Sequence, residues 1–116
     1  MPAFNFQTQF ADDVESETKG QTIRAKRKNR PRPGQMAHCF TGMRTKHCRR
    51  LGSWIIYAVI DVKIMEEGVL LNGAALNASE LDAFAQADGF RNWSYLMTWF
   101  KKQHGLPFSG DLIKWR

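Results

Sequence analysis

The stretch LGSWIIYAVIDVKIM, from Leu51 to Met65, constrains the fold of this chain more than any other segment. It is rich in β-branched and aromatic residues, which favour the pleated backbone of a β-sheet. We therefore predict one long strand or two shorter strands here. Because strands need partners, the rest of the chain has to supply further strands.

Four shorter segments show strand patterns as well. Thr and Ile in QTIRA, and the alternation of apolar and polar residues in QMAHCFTG, favour extended backbone. The Asn72-Gly73 pair at the end of GVLLNG is a turn signal. These three segments predict strands at residues 21–25, 35–42 and 68–73. The segment DLIKWR predicts a fourth strand at residues 111–116.

Helical patterns occupy three other segments. Apolar residues recur every four positions over Phe6–Ser16, which indicates a short amphipathic helix. A second helix is predicted to begin with Ser79 as its N-cap and to end near Asp88, where Gly89 can adopt the left-handed conformation of a helix stop. The third helix is predicted over Trp93–Gln103.

The length and composition are those of one folded domain. The chain has 116 residues, of which 43% are hydrophobic, and this fits a single domain with a single core. Several strands and few helices predict an α+β domain over residues 1–116, built on a small barrel-like sheet with flanking helices. No apolar run is long enough for a membrane span, and the N-terminal segment lacks the apolar centre of a secretion signal. With two cysteines and no disulfide scaffold, we expect a cytoplasmic protein that does not bind membranes.

The charge of the chain is concentrated in one third of its length. From Lys19 to Arg50 there are eleven Lys or Arg residues and no Asp or Glu, whereas the remaining residues carry six basic and eleven acidic side chains. Such asymmetry points to a polyanionic partner, most often nucleic acid. The alternative is a well-solvated face that keeps the protein soluble. Within this region, prolines and a glycine in KRKNRPRPG predict a flexible basic loop at residues 26–34.

Lys19 and Thr22 form a candidate nucleophilic pair in the segment KGQTIR. Gly20 lets the chain bend, so that the Lys19 ammonium can turn toward the Thr22 hydroxyl. Burial or the neighbouring positive charges would lower the pKa of Lys19, and a neutral lysine can take the hydroxyl proton of Thr22. The alternative is an ordinary strand threonine beside a solvated lysine.

Asp88 is the candidate acid. It is predicted at the end of a helix, where the free carbonyl groups repel negative charge and should raise the pKa of its carboxyl group. A raised pKa suits a proton donor or acceptor. The alternative is that Asp88-Gly89 is only a helix stop.

No metal or cofactor is expected. His38-Cys39, His47-Cys48 and His104 are potential ligands, but their spacing fits no zinc pattern, which needs two cysteines separated by two to four residues. For binding a nucleic acid through its phosphates, or a nucleoside, the candidates are basic residues in or beside the loop and in or beside the turn that follows the strand predicted at residues 35–42. They are Arg24, Lys26, Arg27, Arg44, Lys46 and Arg49.

Several segments together resemble the ASCH-domain family, whose members have a PUA-like β-barrel, and especially its small bacteriophage and prophage proteins. The resemblance covers most of the chain, and its most specific element is the pattern Lys-x-x-Thr-Ile-Arg. It implies a PUA-like barrel with flanking helices, and a bacterial cytoplasm if the chain is phage or prophage encoded. The matching segments are QFADDVESETKGQTIR, RPGQ, TGMRTKHCRRLG, FAQADGF, WFKKQHGLPFSG and LIKW.

The resemblance also implies functions. Some members of the family hydrolyse N(4)-acetylcytidine to cytidine and acetate with a Lys base, a Thr nucleophile and an acidic proton donor, and others bind or cleave RNA. Lys19 matches the base, Thr22 the nucleophile, Arg24 the arginine of the motif, and Asp88 stands where the family's glutamate is found. The resemblance therefore predicts a protein that acts on RNA or on modified cytidine, as an amidohydrolase of N(4)-acylated cytidine. The alternatives are a non-catalytic or nuclease-type module for single-stranded RNA, and a factor that binds a host protein.

Overall fold

The computed structural model describes residues 2–116, which contain seven strands and three helices. The predicted α+β class is confirmed. Within these residues, no helix has both the length and the apolar composition needed to cross a membrane. In chain order the elements are β1 (Ala3–Phe6), α1 (Thr8–Glu15), β2 (Gln21–Arg24), β3 (Met36–Thr41), β4 (Arg49–Met65), β5 (Gly68–Leu71), β6 (Ala74–Ala75), α2 (Ala78–Ala87), α3 (Trp93–Gln103) and β7 (Phe108–Trp115).

β4 organises the sheet. The segment predicted as one long or two shorter strands forms a single strand of 17 residues. Its first part pairs antiparallel with β3, and its second part pairs antiparallel with β7 and β5. β1 joins the sheet parallel to β3, and β2 joins it antiparallel to β7. One strand therefore connects both halves of the molecule.

The described sheet is open between β1 and β2. β1 pairs with β3 alone and β2 with β7 alone, so the barrel closure expected from the sequence is not observed. Two arginine side chains bridge the gap instead. The Nη2 atom of Arg24 donates to the carbonyl oxygen of Asn5 at 2.7 Å, and that of Arg27 donates to the carbonyl of Ala3 at 2.9 Å.

Two apolar clusters lie on opposite faces of this sheet, where the sequence predicted a single core. Neighbouring residues of a strand point to opposite faces, and Leu112 and Ile113 of β7 accordingly belong to different clusters. One cluster, beside α1, includes Phe4, Phe6, Val14, Ile56, Ile113 and Trp115. The other, beneath α2 and α3, includes Ile64, Phe84, Leu96, Phe100 and Leu112.

Two of the three helices, α1 and α2, differ from the prediction at their N-terminal ends. α1 begins at Thr8 because Phe6 extends β1, an edge strand that the sequence did not predict, and pairs with Thr41. The N-cap of α2 is Asn77 and not Ser79. The side chain of Asn77 accepts from the backbone N–H of Glu80 at 2.9 Å, and Glu80 accepts in return from the N–H of Asn77. This reciprocal capping box satisfies two free N–H groups. The predicted range of α3 is confirmed.

The basic loop at residues 26–34 has no regular structure, but two of its side chains are fixed to the sheet. Lys26 and Arg30 both form ion pairs with Asp61 of β4 and Asp111 of β7. Asp111 is only 1% exposed, and Arg30 Nε donates to its Oδ1 at 3.0 Å. These contacts hold the start of the loop against β4 and β7.

Candidate functional site

A cavity of about 280 Å³ opens at the gap between β1 and β2. Four of its polar side chains come from segments that are distant in the sequence: the turn after α1, strand β2 and the end of α2. They are Lys19, Thr22, Arg24 and Asp88. Aromatic rings from β1, α1 and α3 and from the α2–α3 connection form the walls: Phe6, Phe10, Trp99 and Phe90.

Lys19 and Asp88 form a buried ion pair at the inner end of this cavity. The Lys19 Nζ atom lies 3.0 Å from Asp88 Oδ1 and donates to the Asp88 carbonyl oxygen at 2.7 Å. Their exposed fractions are 3% and 5%. Asp88 is the C-cap of α2, and Gly89 follows with φ +93°. A Cβ atom at Gly89 would meet Phe10 at 3.1 Å, so glycine allows this turn to pack close to Lys19.

Thr22 is held by Arg24 and not by Lys19. Arg24 Nε donates to Thr22 Oγ1 at 2.9 Å, which leaves the hydroxyl proton of Thr22 free for another acceptor. Among the described residues, no direct hydrogen bond joins Lys19 to Thr22, although both line the cavity. Lys19 and Thr22 thus line the same ligand-sized cavity without a direct bond between them.

Burial shifts the pKa values of Lys19, Asp88 and Arg24. It lowers the pKa of Lys19, against the opposing effect of the Asp88 carboxylate. It raises the pKa of Asp88, against the opposing effect of the Lys19 ammonium. The raised pKa expected from the position of Asp88 at a helix end thus has desolvation as its main cause. Burial, followed by the nearby charge of Arg27, lowers the pKa of Arg24 to about 10, so Arg24 stays charged at neutral pH.

Three further polar residues of the cavity region were not predicted to belong to this site. Gln21 is buried beside the ion pair, with its Nε2 atom 3.5 Å from Asp88 Oδ1. Asn5 lines the cavity from β1, a strand that was itself not predicted. His104 lies at the C-terminal end of α3 and packs on Phe108 with ring centroids 4.9 Å apart. Each of them reaches the site only through tertiary packing.

The six residues predicted to contact phosphate fall into two groups. Four already have partners: Arg24 and Arg27 bridge to β1, Lys26 contacts Asp61 and Asp111, and Arg49 Nη1 lies 2.7 Å from Glu15 Oε1. Arg44 and Lys46 lie in the exposed turn before β4 and form no ion pair within residues 2–116. These two are therefore available to an external anion.

The histidines and cysteines are dispersed. His38 shares a hydrogen bond of 2.7 Å with Ser53 Oγ. Cys39 is completely buried in the cluster beside α1, and burial raises the pKa of its thiol to about 12. Over the described part of the chain, no three His, Cys, Asp or Glu side chains converge on a position that could hold a metal ion.

Comparisons of the chain with models of known protein families, with curated proteins and with solved structures give no match. The chemistry of the cavity and of the surface around it is therefore the basis for a functional conclusion. That chemistry consists of a buried acid–base pair, a hydroxyl held by a guanidinium and a set of aromatic walls.

Proposed function

We propose that this protein is an ASCH-domain amidohydrolase with a PUA-like fold, which removes the acyl group from an N(4)-acylated cytidine. One observation carries the proposal. Lys19, Thr22 and Asp88, which match the base, nucleophile and acid of that family's motif, line a single cavity although Lys19 and Asp88 are 69 residues apart in the chain.

The size and walls of the cavity support a ligand of this class. About 280 Å³ is close to the lower limit for small-molecule sites, which suits one nucleobase with a small acyl group. Phe6, Phe10, Phe90 and Trp99 supply apolar surface, and aromatic rings are the usual stacking partners of nucleobases.

The Lys19–Asp88 contact supplies both protonation states that the reaction needs. Transfer of one proton across the 3.0 Å contact converts an ammonium and a carboxylate into an amine and a carboxylic acid, without any change in total charge. Burial lowers the free energy needed to reach this neutral form from the ion pair, because it lowers the pKa of Lys19 and raises that of Asp88. The amine is a base and the carboxylic acid is a proton donor.

Acylation follows from these roles. Thr22 Oγ attacks the acyl carbon while the Lys19 amine accepts the hydroxyl proton. The carbon–nitrogen bond then breaks, and the Asp88 carboxylic acid protonates the departing amino nitrogen, which releases cytidine. Arg24 donates to Thr22 Oγ1 in the free protein and remains charged at neutral pH, so its guanidinium can stabilise negative charge at this position.

Deacylation restores the starting state. Water attacks the Thr22 ester while the Asp88 carboxylate accepts a proton from that water. The Lys19 ammonium returns a proton to Thr22 Oγ, and the carboxylic acid product leaves. Lys19 is then again an amine, Asp88 is again a carboxylic acid, and Thr22 again carries its hydroxyl proton.

The test is hydrolysis of N(4)-acetylcytidine, followed by the appearance of cytidine and acetate. We expect turnover by the wild type, a loss of at least about a hundredfold in Thr22→Ala, and partial activity in Thr22→Ser, which keeps a hydroxyl nucleophile. If the wild type releases acetate no faster than Thr22→Ala, the amidohydrolase proposal is wrong.

A second candidate is a module that binds single-stranded RNA without catalysis. The observation in its favour is the exposed turn with Arg44 and Lys46, whose charges are free within the described residues. Such binding would weaken steeply as the salt concentration rises, because phosphate contacts release counterions. RNA binding that persists in Thr22→Ala, with no hydrolysis by the wild type, would favour this candidate.

A further inference from the structure

A second depression lies close to the cavity. It is a cleft of about 740 Å³ formed by the basic loop, and its lining includes Arg27, Lys28, Arg30 and Arg32. The completely buried ring of Phe4 lines neither space, but one arginine from each space packs against it. Arg24, which lines the cavity, lies with its Cζ atom 5.5 Å from the centre of this ring, and Arg27, which lines the cleft, lies 4.5 Å from it.

The four basic side chains of this cleft are not equivalent. Arg30 is neutralised by Asp111 and Asp61. Arg27 donates to the carbonyl of Ala3 and forms no ion pair in the described part of the chain, so no carboxylate there compensates its positive charge. Lys28 and Arg32 are exposed and form no ion pair among residues 2–116. The cleft therefore presents three uncompensated positive charges.

Hydrogen bonds and ion pairs hold the loop that carries these charges against the rest of the protein. Gln35 Oε1 accepts from the backbone N–H of Arg32 at 2.9 Å, and Gly34 donates to the carbonyl of Ile56 in β4 at 2.8 Å. The ion pairs of Arg30 fix the middle of the loop to the sheet. The side chains of Lys28 and Arg32 thus project from an anchored segment, which lowers the entropic cost of binding an anion.

We propose that this cleft binds the phosphates of a single-stranded oligoribonucleotide whose acylated cytidine enters the cavity, an inference that rests on the proposed function. A free nucleoside has no phosphate and would leave the three charges unused. Guanidinium groups suit phosphate oxygens because their N–H groups form a planar fork. The cleft is more than twice the size of the cavity, which accommodates several backbone phosphates better than a single one.

The experiment compares three substrates: N(4)-acetylcytidine, its 5′-monophosphate, and a pentanucleotide with the acetylated cytidine in the centre. We expect kcat/KM for the pentanucleotide to exceed that for the nucleoside by at least about tenfold at low salt. The double variant Lys28→Ala/Arg32→Ala should reduce this ratio about tenfold. Lys63→Ala/Lys102→Ala is the matched control, because it removes the same charge from positions that line neither the cavity nor the cleft, and it should leave the ratio unchanged.

A binding measurement separates this inference from the catalytic proposal. The affinity for unmodified pentacytidylate, followed by fluorescence anisotropy at several salt concentrations, needs no hydrolysis. Loss of two phosphate contacts should reduce the slope of log affinity against log salt by about 1.4 in Lys28→Ala/Arg32→Ala.

Each outcome decides between the two proposals. Pentacytidylate binding that depends on Lys28 and Arg32, without hydrolysis of any substrate, supports the cleft and refutes the amidohydrolase. Equal kcat/KM for nucleoside and pentanucleotide, unaltered in the double variant, overturns the cleft and leaves the amidohydrolase standing. Equal kcat/KM for the monophosphate and the pentanucleotide overturns the oligonucleotide in favour of a free nucleotide.

Discussion

At the scale of single residues, Lys19 and Asp88 combine a structural cost with a proposed role in proton transfer. Taking two charges out of water costs several kcal/mol per ion, and their attraction offsets this only while both partners are present. The pair is almost fully buried, with Lys19 also bonded to the Asp88 carbonyl. Removing either partner should therefore affect folding as well as catalysis.

Asp88→Asn tests this pair. The change keeps the shape but leaves the Lys19 charge buried without a carboxylate, and we expect the free energy of unfolding at pH 7 to fall by about 3–5 kcal/mol. Urea unfolding measures the effect. Lys19→Met/Asp88→Asn removes the buried charge as well and should recover part of the loss. The coupling would be contradicted if the double variant lost as much free energy of unfolding as the sum of the losses in Lys19→Met and in Asp88→Asn.

The pH dependence of Asp88→Asn has a defined sign. The pKa of Lys19 is already lowered from its ordinary 10.5 by burial, and loss of the carboxylate lowers it further. Between the lowered value and 10.5 the unfolded chain binds more protons than the folded one, so stability rises with pH in that window. This window begins at a lower pH in Asp88→Asn than in the wild type, so the deficit of the variant should shrink with rising pH between the two lowered pKa values of Lys19 and stay constant above them. A deficit that grows as the pH rises from 7 to 10 would contradict this explanation.

At the scale of elements, β2 carries Thr22 and Arg24 and depends on its contact with β7. A Cβ atom on Gly110 would lie 2.2 Å from the carbonyl oxygen of Arg24, so only glycine allows the two backbones to approach as they do. The sequence predicted a strand from Asp111 onward, whereas β7 begins at Phe108. In a single sequence a glycine is typical of a strand boundary. Gly110 instead lies inside β7, where the backbones of β7 and β2 approach each other closely.

Gly110→Ala should destabilise the protein by about 1–3 kcal/mol, because the methyl group has to displace backbone and not a flexible side chain. It should also reduce hydrolysis of N(4)-acetylcytidine, since Thr22 moves with β2. Urea unfolding and steady-state kinetics measure both effects. Ser109→Ala, at the exposed neighbouring position of β7, is the control. Equal stability of the two variants would show that β2 can shift without cost.

At the scale of the whole molecule, the open side of the sheet and the cavity coincide. Arg24 and Arg27 hold β1 through its carbonyl groups where a strand pairing is absent. Of these two bridging side chains, Arg24 also lines the cavity. An opening of this kind gives a ligand access that a closed ladder of backbone hydrogen bonds would deny.

Arg27→Ala should loosen β1. The variant loses the bond to the Ala3 carbonyl and the contact with the Phe4 ring, so the amides of Ala3–Phe6 should exchange with solvent about tenfold faster than in wild type. Hydrogen exchange followed by NMR or mass spectrometry gives this rate. Arg44→Ala, which removes an exposed charge from the turn before β4, should leave β1 exchange unaltered. Identical exchange in both variants would mean that the pairing with β3 alone holds β1.

The sequence by itself determined the elements whose signal is local. β4 and α3 were predicted because β-branched composition and helical periodicity act over neighbouring residues, whereas β1 is a strand of four residues that exists only through its pairing with β3. Asn77 was missed as a cap because Ser79 offers the same chemistry two residues later, although Glu80, three residues after Asn77, completes the local pattern of a capping box.

For the site, the sequence supplied Lys19, Thr22 and Asp88 as candidates, and their roles remain predictions. Tertiary structure alone decided that Lys19 bonds to Asp88 and that Arg24 holds Thr22. It also decided which positive charges are free, since Asp61 and Asp111 neutralise Lys26 and Arg30 from distant strands. The physical reason is the same in each case: burial and charge pairing depend on distance in space, which a linear order of residues does not specify.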